Sequence, residues 1–239
     1  MFTNKNVLVT GGTGFIGQEI CKLFKLYNAN VIFTYNKNEE KAQKLASEIG
    51  CKFLQVDLEN VNDIKSKIET LYTEINTIDV LVNNAAISQI LPLSMLEEED
   101  VDKVLNINLK GTLFMTKAVI RGMIRKRSGT IVNMGSIAGN RILEVPITYA
   151  MTKSAINGFT TSLASELKKF GIRVNSVVPG LIEGGVAAGV PDEQREDFLR
   201  HCITGRAGKA KEVAELICFL ASDKASYING QNIMVDGGI

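Results

Sequence analysis

The stretch "VLVTGGTGFIG", Val7 to Gly17, places four glycines within the seven residues Gly11–Gly17, directly behind a short apolar run. An apolar run that opens onto bare backbone is a strand entering a turn that demands close approach. Gly12, Gly14 and Gly17 satisfy G-x-G-x-x-G, and helical spacing follows from Gln18 to Leu26. Strand, glycine loop and helix together form the context in which that spacing carries chemistry. Without Cβ atoms the loop turns tightly, its N–H groups can approach a pyrophosphate, and the third glycine lets the helix lie against the strand. The helix N-terminus adds about half a positive charge towards the phosphates. The spacing therefore predicts a dinucleotide seat whose contacts come from Gly11, Thr13, Gly14, Phe15 and Ile16.

Outward from the loop, apolar runs recur at Val7–Val9, Val31–Phe33, Phe53–Val56, Val80–Val82, Ile131–Asn133, Val174–Val178 and Ile233–Val235. Most are continuous rather than alternating, as in strands buried on both faces of a parallel sheet. Helical spacing fills the gaps, over Glu39–Ile49, Val61–Thr73, Asp100–Arg125, Thr148–Phe170 and Lys211–Ser222 as well as Gln18–Leu26. This rhythm predicts an α/β fold: a Rossmann-type, doubly wound, seven-stranded parallel sheet with helices on both faces and right-handed crossovers. No linker interrupts it, so residues 1–239 are expected to form a single dinucleotide-binding and catalytic domain. Glu183–His201, "EGGVAAGVPDEQREDFLRH", breaks the rhythm with a glycine-rich start and a polar helical stretch, and is expected to be a substrate lid.

Composition narrows the class of partner. Twenty-seven basic residues against twenty-six acidic ones leave a formal charge of +1, which offers no field for nucleic acid or an anionic membrane. No run reaches the ~18 apolar residues of a membrane span, and no secretory signal opens the chain, so a cytoplasmic protein acting on a small molecule is expected. Cys21, Cys51, Cys202 and Cys218 are scattered, with one histidine, His201, beside them, a pattern of free thiols rather than of a metal site.

The end of the second strand addresses cofactor choice. An NAD site would place a carboxylate ~20 residues beyond the loop to hold the ribose 2′-hydroxyl. Here Thr34, Tyr35, Asn36 and Lys37 stand first, and the first acid is Glu39. Hydroxyl, amide and ammonium groups can accept a 2′-phosphate that a carboxylate would repel, so NADP(H) is favoured over NAD(H). In "IVNMGSIAGNRILEVPITYAMTK", Tyr149 and Lys153 stand four residues apart on one helical face. Ser136 lies at the end of the Ile131–Asn133 run, where ligands gather in such sheets.

These motifs resemble the short-chain dehydrogenase/reductase family in its compact single-domain branch, over essentially the whole chain. The likeness rests on Thr10–Gly17, Asp57 in "QVDL", Asn83-Asn84-Ala85-Ala86, Asn108 in "NINLKGT", Ser136, Tyr149-x-x-x-Lys153 and Pro179-Gly180. It implies a catalytic set of Asn108, Ser136, Tyr149 and Lys153. Tyr149 would protonate a substrate carbonyl oxygen as hydride arrives from a nicotinamide, Lys153 would favour the phenolate and hold the nicotinamide ribose, Ser136 would hydrogen-bond the oxygen, and Asn108 would hold a water linking Lys153 to solvent. The same resemblance places Asp57 at the adenine amino group, with Leu58 beside it, Asn84 and Ala85 around the adenosine, and Pro179, Gly180 and Ile182 at the carboxamide. No metal is implied.

Four positions depart from the family: Gly14 stands where many NADP(H)-using relatives carry a basic residue, Phe170 stands at the place of a second arginine beside the cleft, and Phe15 and Gly184 are the other two. Phe15 stands where the compact branch carries glycine, giving a glycine spacing more usual in the extended branch. Gly184 stands where a threonine commonly bonds the carboxamide. Within the branch the likeness is strongest to 3-oxoacyl-[acyl-carrier-protein] reductases of fatty acid biosynthesis, through "TYNKNEEKA" and "ITGRAGKAKEVAELICFLASDKASYINGQNIMVDGG". That implies a homotetramer and an acidic carrier protein docking beside the cleft near Arg127. Other ketones (sugar, polyketide or steroid-like) and a nucleotide sensor without turnover are the alternatives, and the intact catalytic set favours the enzyme.

Overall fold

The computed structural model describes residues 1–141 and 143–239, with the backbone alone at 186 and 187. Its strands are β1 (Asn6–Val9), β2 (Asn30–Tyr35), β3 (Lys52–Gln55), β4 (Val80–Asn83), β5 (Gly129–Met134), β6 (Ile172–Pro179) and β7 (Asn232–Val235). All pair in parallel in the order β3-β2-β1-β4-β5-β6-β7. The expected Rossmann-type sheet is thus present, and each strand falls on one of the apolar runs. Chain order reverses between β1 and β4, so the loops that follow those two strands open a crevice at their carboxyl ends.

The strand residues divide between two cores because successive side chains point to opposite faces. Val7, Val9, Val31, Phe33, Val80 and Val82 pack with α1 (Phe15–Leu26), α2 (Glu39–Ile49) and α8 (Ala210–Ala221). Leu8, Ile32, Leu81, Ile131 and Val174 pack with α3 (Val61–Glu74), α5 (Thr112–Lys126) and α6 (Ile147–Leu167). Such double burial is what reads as continuous apolar sequence.

Two expected helices differ in their bounds. α1 begins at Phe15 rather than Gln18, so the last residues of the glycine motif are already the first helical turn. The expected helix Asp100–Arg125 is α4 (Glu98–Leu105), a π-helical turn over Asn106–Gly111, and then α5. A π turn adds a residue without ending the helix, so the apolar spacing runs on across it. At its end, a Cβ on Gly111 would stand 2.8 Å from the Leu58 carbonyl oxygen, which brings the loop after β3 against the helix. The expected lid, Glu183–His201, contains a 3₁₀ turn over Gly185–Gly189 and α7 (Asp192–His201). Among the described residues, no helix is long and apolar enough to cross a membrane.

Candidate active site

The loops after β1, β2, β4, β5 and β6 line one cleft of about 1780 Å³. Four hydrogen bonds from the side chains of Thr10 and Asn84 lock its floor at the switch point. The Thr10 hydroxyl accepts from the Asn84 and Ala85 N–H groups, both at 3.0 Å, and the Asn84 carboxamide donates to the Thr10 and Gly11 carbonyls at 2.9 and 3.1 Å. Gly17 is required by this closeness: a Cβ there would lie 2.3 Å from the Gly11 carbonyl oxygen and 2.9 Å from Asn84 Nδ2. The loop thus presents backbone where only a phosphate-sized, side-chain-free approach fits, which suits the pyrophosphate of a dinucleotide. Thr10 is a site residue that spacing alone does not single out; its signal is a hydroxyl directly at the strand end, before the first glycine.

Of the expected cofactor residues, Gly11, Thr13, Gly14, Phe15, Ile16, Tyr35, Asn36, Leu58, Asn84, Ala85, Pro179, Gly180 and Ile182 line this cleft. Lys37 is exposed beside Asn36, outside the lining. Asp57 also stands outside it, with one carboxylate oxygen accepting from the Glu59 N–H at 3.0 Å, the bond of a turn residue.

Ser136, Tyr149 and Lys153 meet where β5 ends. Ser136 is extended and its Oγ accepts from the Ala138 N–H at 3.2 Å, capping the turn Ile137–Gly139. That bond uses a lone pair and leaves the hydroxyl proton free to donate. Tyr149 and Lys153 stand one helical turn apart near the start of α6, and the Lys153 Nζ lies 5.5 Å from the centre of the Tyr149 ring. Lys153 is 3% exposed, and its ammonium donates to the Met134 carbonyl at 2.8 Å. Burial lowers its pKa to about 8. Burial also raises the pKa of the Tyr149 phenol, and interaction with the Ser136 hydroxyl opposes that rise.

Asn108 sits in the π turn, one layer behind these groups. Its Oδ1 accepts from the Ile87 N–H at 2.8 Å, and its Nδ2 donates to the Ile87 carbonyl at 2.8 Å and to Thr152 Oγ1 at 3.2 Å. The carboxamide thereby clamps the loop after β4 to α6 beside Lys153. Below the site, paired Asn83 and Asn133 bond each other at 2.8 Å and reach Thr116 and Thr160, tying β4 and β5 to α5 and α6.

Arg127 lies elsewhere. It ends α5 in a left-handed conformation, donates to the Lys169 carbonyl at 2.8 Å, and precedes β5, whereas Ser136 follows that strand. Six strand residues at about 3.3 Å each separate it from the cleft of its own chain by roughly 20 Å. The expectation of a carrier site beside the cleft does not hold within one chain. The basic side chains that line the cleft besides Lys153 are Arg141 and His201, among the described residues.

The comparisons with known proteins agree with this geometry. Residues 13–239 match the family model described as "Enoyl-(Acyl carrier protein) reductase". The "3-oxoacyl-[acyl-carrier-protein] reductase FabG" of Chlamydia trachomatis is 38% identical over 244 residues, covering 100% of this chain and 98% of the relative. The protein of the same name from Thermotoga maritima is 40% identical over 240 residues, covering 98% of this chain and 97% of the relative. A solved structure titled "short chain dehydrogenase/reductase family protein" superposes with a TM-score of 0.88 at 30% identity, over 99% of this chain and 97% of the other. The chain belongs to the short-chain dehydrogenase/reductase family. It is an oxidoreductase working with a nicotinamide cofactor.

Proposed function

We propose that the chain reduces the ketone of a 3-oxoacyl thioester, carried on acyl carrier protein, to a secondary alcohol, with NADP(H) as cofactor. The observation that carries this reading is the convergence of Ser136, Tyr149 and Lys153 at the end of β5, in a cleft that is also lined by the apolar side chains Leu91, Leu93, Leu143, Val145 and Phe198, which suit an acyl chain.

When bound, a nicotinamide cofactor supplies hydride to the carbonyl carbon. Everything else falls to the chain. Gly11, Thr13, Gly14 and Ile16 hold the pyrophosphate end, and Pro179, Gly180 and Ile182 bound the opposite end. Ser136 donates its free hydroxyl proton to the carbonyl oxygen, stabilising the negative charge that builds there. Tyr149 delivers its phenolic proton to the same oxygen, which completes the alcohol and leaves a phenolate. Lys153 keeps most of its protons at pH 7 with a pKa of about 8, and its ammonium favours that phenolate. Asn108 keeps α6 and the loop after β4 in register for this transfer.

NADP(H) is supported by Tyr35, Asn36 and Lys37 coming before Glu39 at the end of β2. In the proposed homotetramer, a carrier docked near Arg127 would serve the cleft of a neighbouring subunit, since its own is too far away. The single domain, the lid at 183–201 and a cytoplasmic setting belong to the same reading.

The test is a titration of purified protein with NADPH and NADH, followed by turnover with 3-oxoacyl and with enoyl thioesters on acyl carrier protein. Tighter NADPH binding and turnover of the 3-oxo substrate are expected. Turnover of the enoyl thioester alone would move the reaction to the carbon–carbon double bond. An Arg127→Glu variant should lose efficiency on carrier-bound substrate and keep it on free ketones.

A further inference from the structure

Phe15 and Gly184, two of the positions at which the sequence departs from the family pattern, touch each other. Phe15 opens α1, yet its ring leaves the core and is 46% exposed at the mouth of the cleft. Gly184 and Gly185 begin the segment that leads to α7, with φ of +76° and +60°. A Cβ on Gly184 would stand 2.8 Å from Cε2 and 2.9 Å from Cζ of Phe15, and one on Gly185 would stand 3.3 Å from the Phe15 Cβ. The ring therefore rests on bare peptide, in space that any side chain at 184 would contest. Just before this point the segment is tied down: the Glu183 N–H donates to the Gly208 carbonyl at 2.9 Å, and Ile182 bridges to Gly208. Four residues after Gly185, a Cβ on Gly189 would lie 2.9 Å from Ile90 Cδ1, on the loop after β4. The segment thus crosses the cleft from Phe15 to Ile90.

We propose that Phe15 and Gly184–Gly185 form a latch over the dinucleotide seat, and that opening this contact lets the cofactor leave. The reading rests on the glycine loop holding a nicotinamide dinucleotide. Phe15 lines the cleft itself as well as holding the segment, so Gly184→Ala, which leaves the ring on the chain, is the variant that separates the latch from a direct contact with the dinucleotide. One partly exposed ring on a peptide is a weak contact that can open on every turnover. Its glycines at positive φ let the backbone approach in a conformation that other residues rarely adopt.

The experiment is stopped-flow release of NADPH, or of NADH if wild type binds that more tightly, from wild type, Phe15→Ala, Gly184→Ala, the double variant and Phe15→Tyr. Phe15→Ala removes the ring, and Gly184→Ala pushes it away. Each should release the cofactor about tenfold faster, equivalent to about 1.4 kcal/mol, with association changed less than about threefold; the thermal midpoint should be retained in Phe15→Ala and slightly lowered in Gly184→Ala, where the left-handed backbone strains a side chain. The double variant should release no faster than the faster single one, because both break the same contact. Phe15→Tyr keeps the ring and should release within about twofold of wild type. Wild-type release in either single variant, or effects that multiply in the double, would overturn the latch while leaving the cofactor reading intact. If wild type binds neither dinucleotide, the cofactor reading fails and the latch falls with it.

Discussion

The cleft has two walls of different construction. On the β5–α6 side the working groups are bonded or buried: Lys153 to the Met134 carbonyl, Ser136 to the Ala138 N–H, and Asn133 to Asn83 and Thr160 beneath them. On the lid side an exposed ring lies on glycine backbone, and an exposed bond from Gln194 Nε2 to Glu144 Oε2 at 2.8 Å joins α7 to the loop before α6. Buried, satisfied polar networks hold groups to a single geometry. Few and exposed contacts are those that open most easily. Under the proposed function, this contrast separates proton transfer, which needs fixed distances, from exchange of ligands, which needs motion.

The largest effect expected from breaking the rigid wall is at Tyr149. Tyr149→Phe keeps the ring and removes the only proton the phenol can deliver, so kcat should fall by about 10²–10⁴. Dinucleotide affinity and the thermal midpoint should stay near wild type. A loss shared equally between binding and kcat would mean that the phenol serves chiefly to hold ligands.

Lys153 gives a smaller effect with a distinctive sign. Its folded pKa of about 8 lies below the ~10.4 of an unfolded lysine, so the unfolded chain binds more protons between those values and stability rises with pH across that window. Below pH 8 the native state carries the full cost of a buried ammonium. Lys153→Met removes that cost, about 3 kcal/mol at most, and forfeits a charged hydrogen bond worth about 1.5–3 kcal/mol. The cofactor-free variant should thus match or exceed the wild-type melting temperature at pH 7, and lose that relative advantage at pH 10, while turnover collapses at both. A variant that melts much earlier at pH 7 would show that the ammonium stabilises the fold. In wild type, kcat/KM for the cofactor in the reductive direction should fall as pH rises through about 8, because the cation that favours the phenolate is lost.

The same contrast explains what could be read from the sequence. Strands buried on both faces show as continuous apolar runs, so all seven were legible, and so was the Tyr149–Lys153 pair, since its spacing is that of one helical turn. The π turn at Asn106–Gly111 was hidden because the apolar period continues through it. Arg127 was placed beside the cleft by the family resemblance alone, and no local pattern in the sequence shows that β5 stands between it and Ser136. Phe15 and Gly184 each stood out alone; their contact depends on how the chain after β6 folds back over α1, which no local pattern encodes.

The smallest effect separates the two ends of the lid. Gln194→Ala breaks an exposed bond to a carboxylate, for which about 1 kcal/mol is a generous bound. It acts on α7, away from Phe15 and the glycine loop, so dinucleotide release should stay near wild type. KM for the acyl thioester should rise by about two- to threefold with kcat little changed, measured with NADPH saturating. This would assign the Glu144 end of the lid to substrate retention and the Phe15 end to the cofactor. If Gln194→Ala instead accelerates cofactor release as much as Phe15→Ala does, the lid moves as one rigid piece, and the division between its ends disappears.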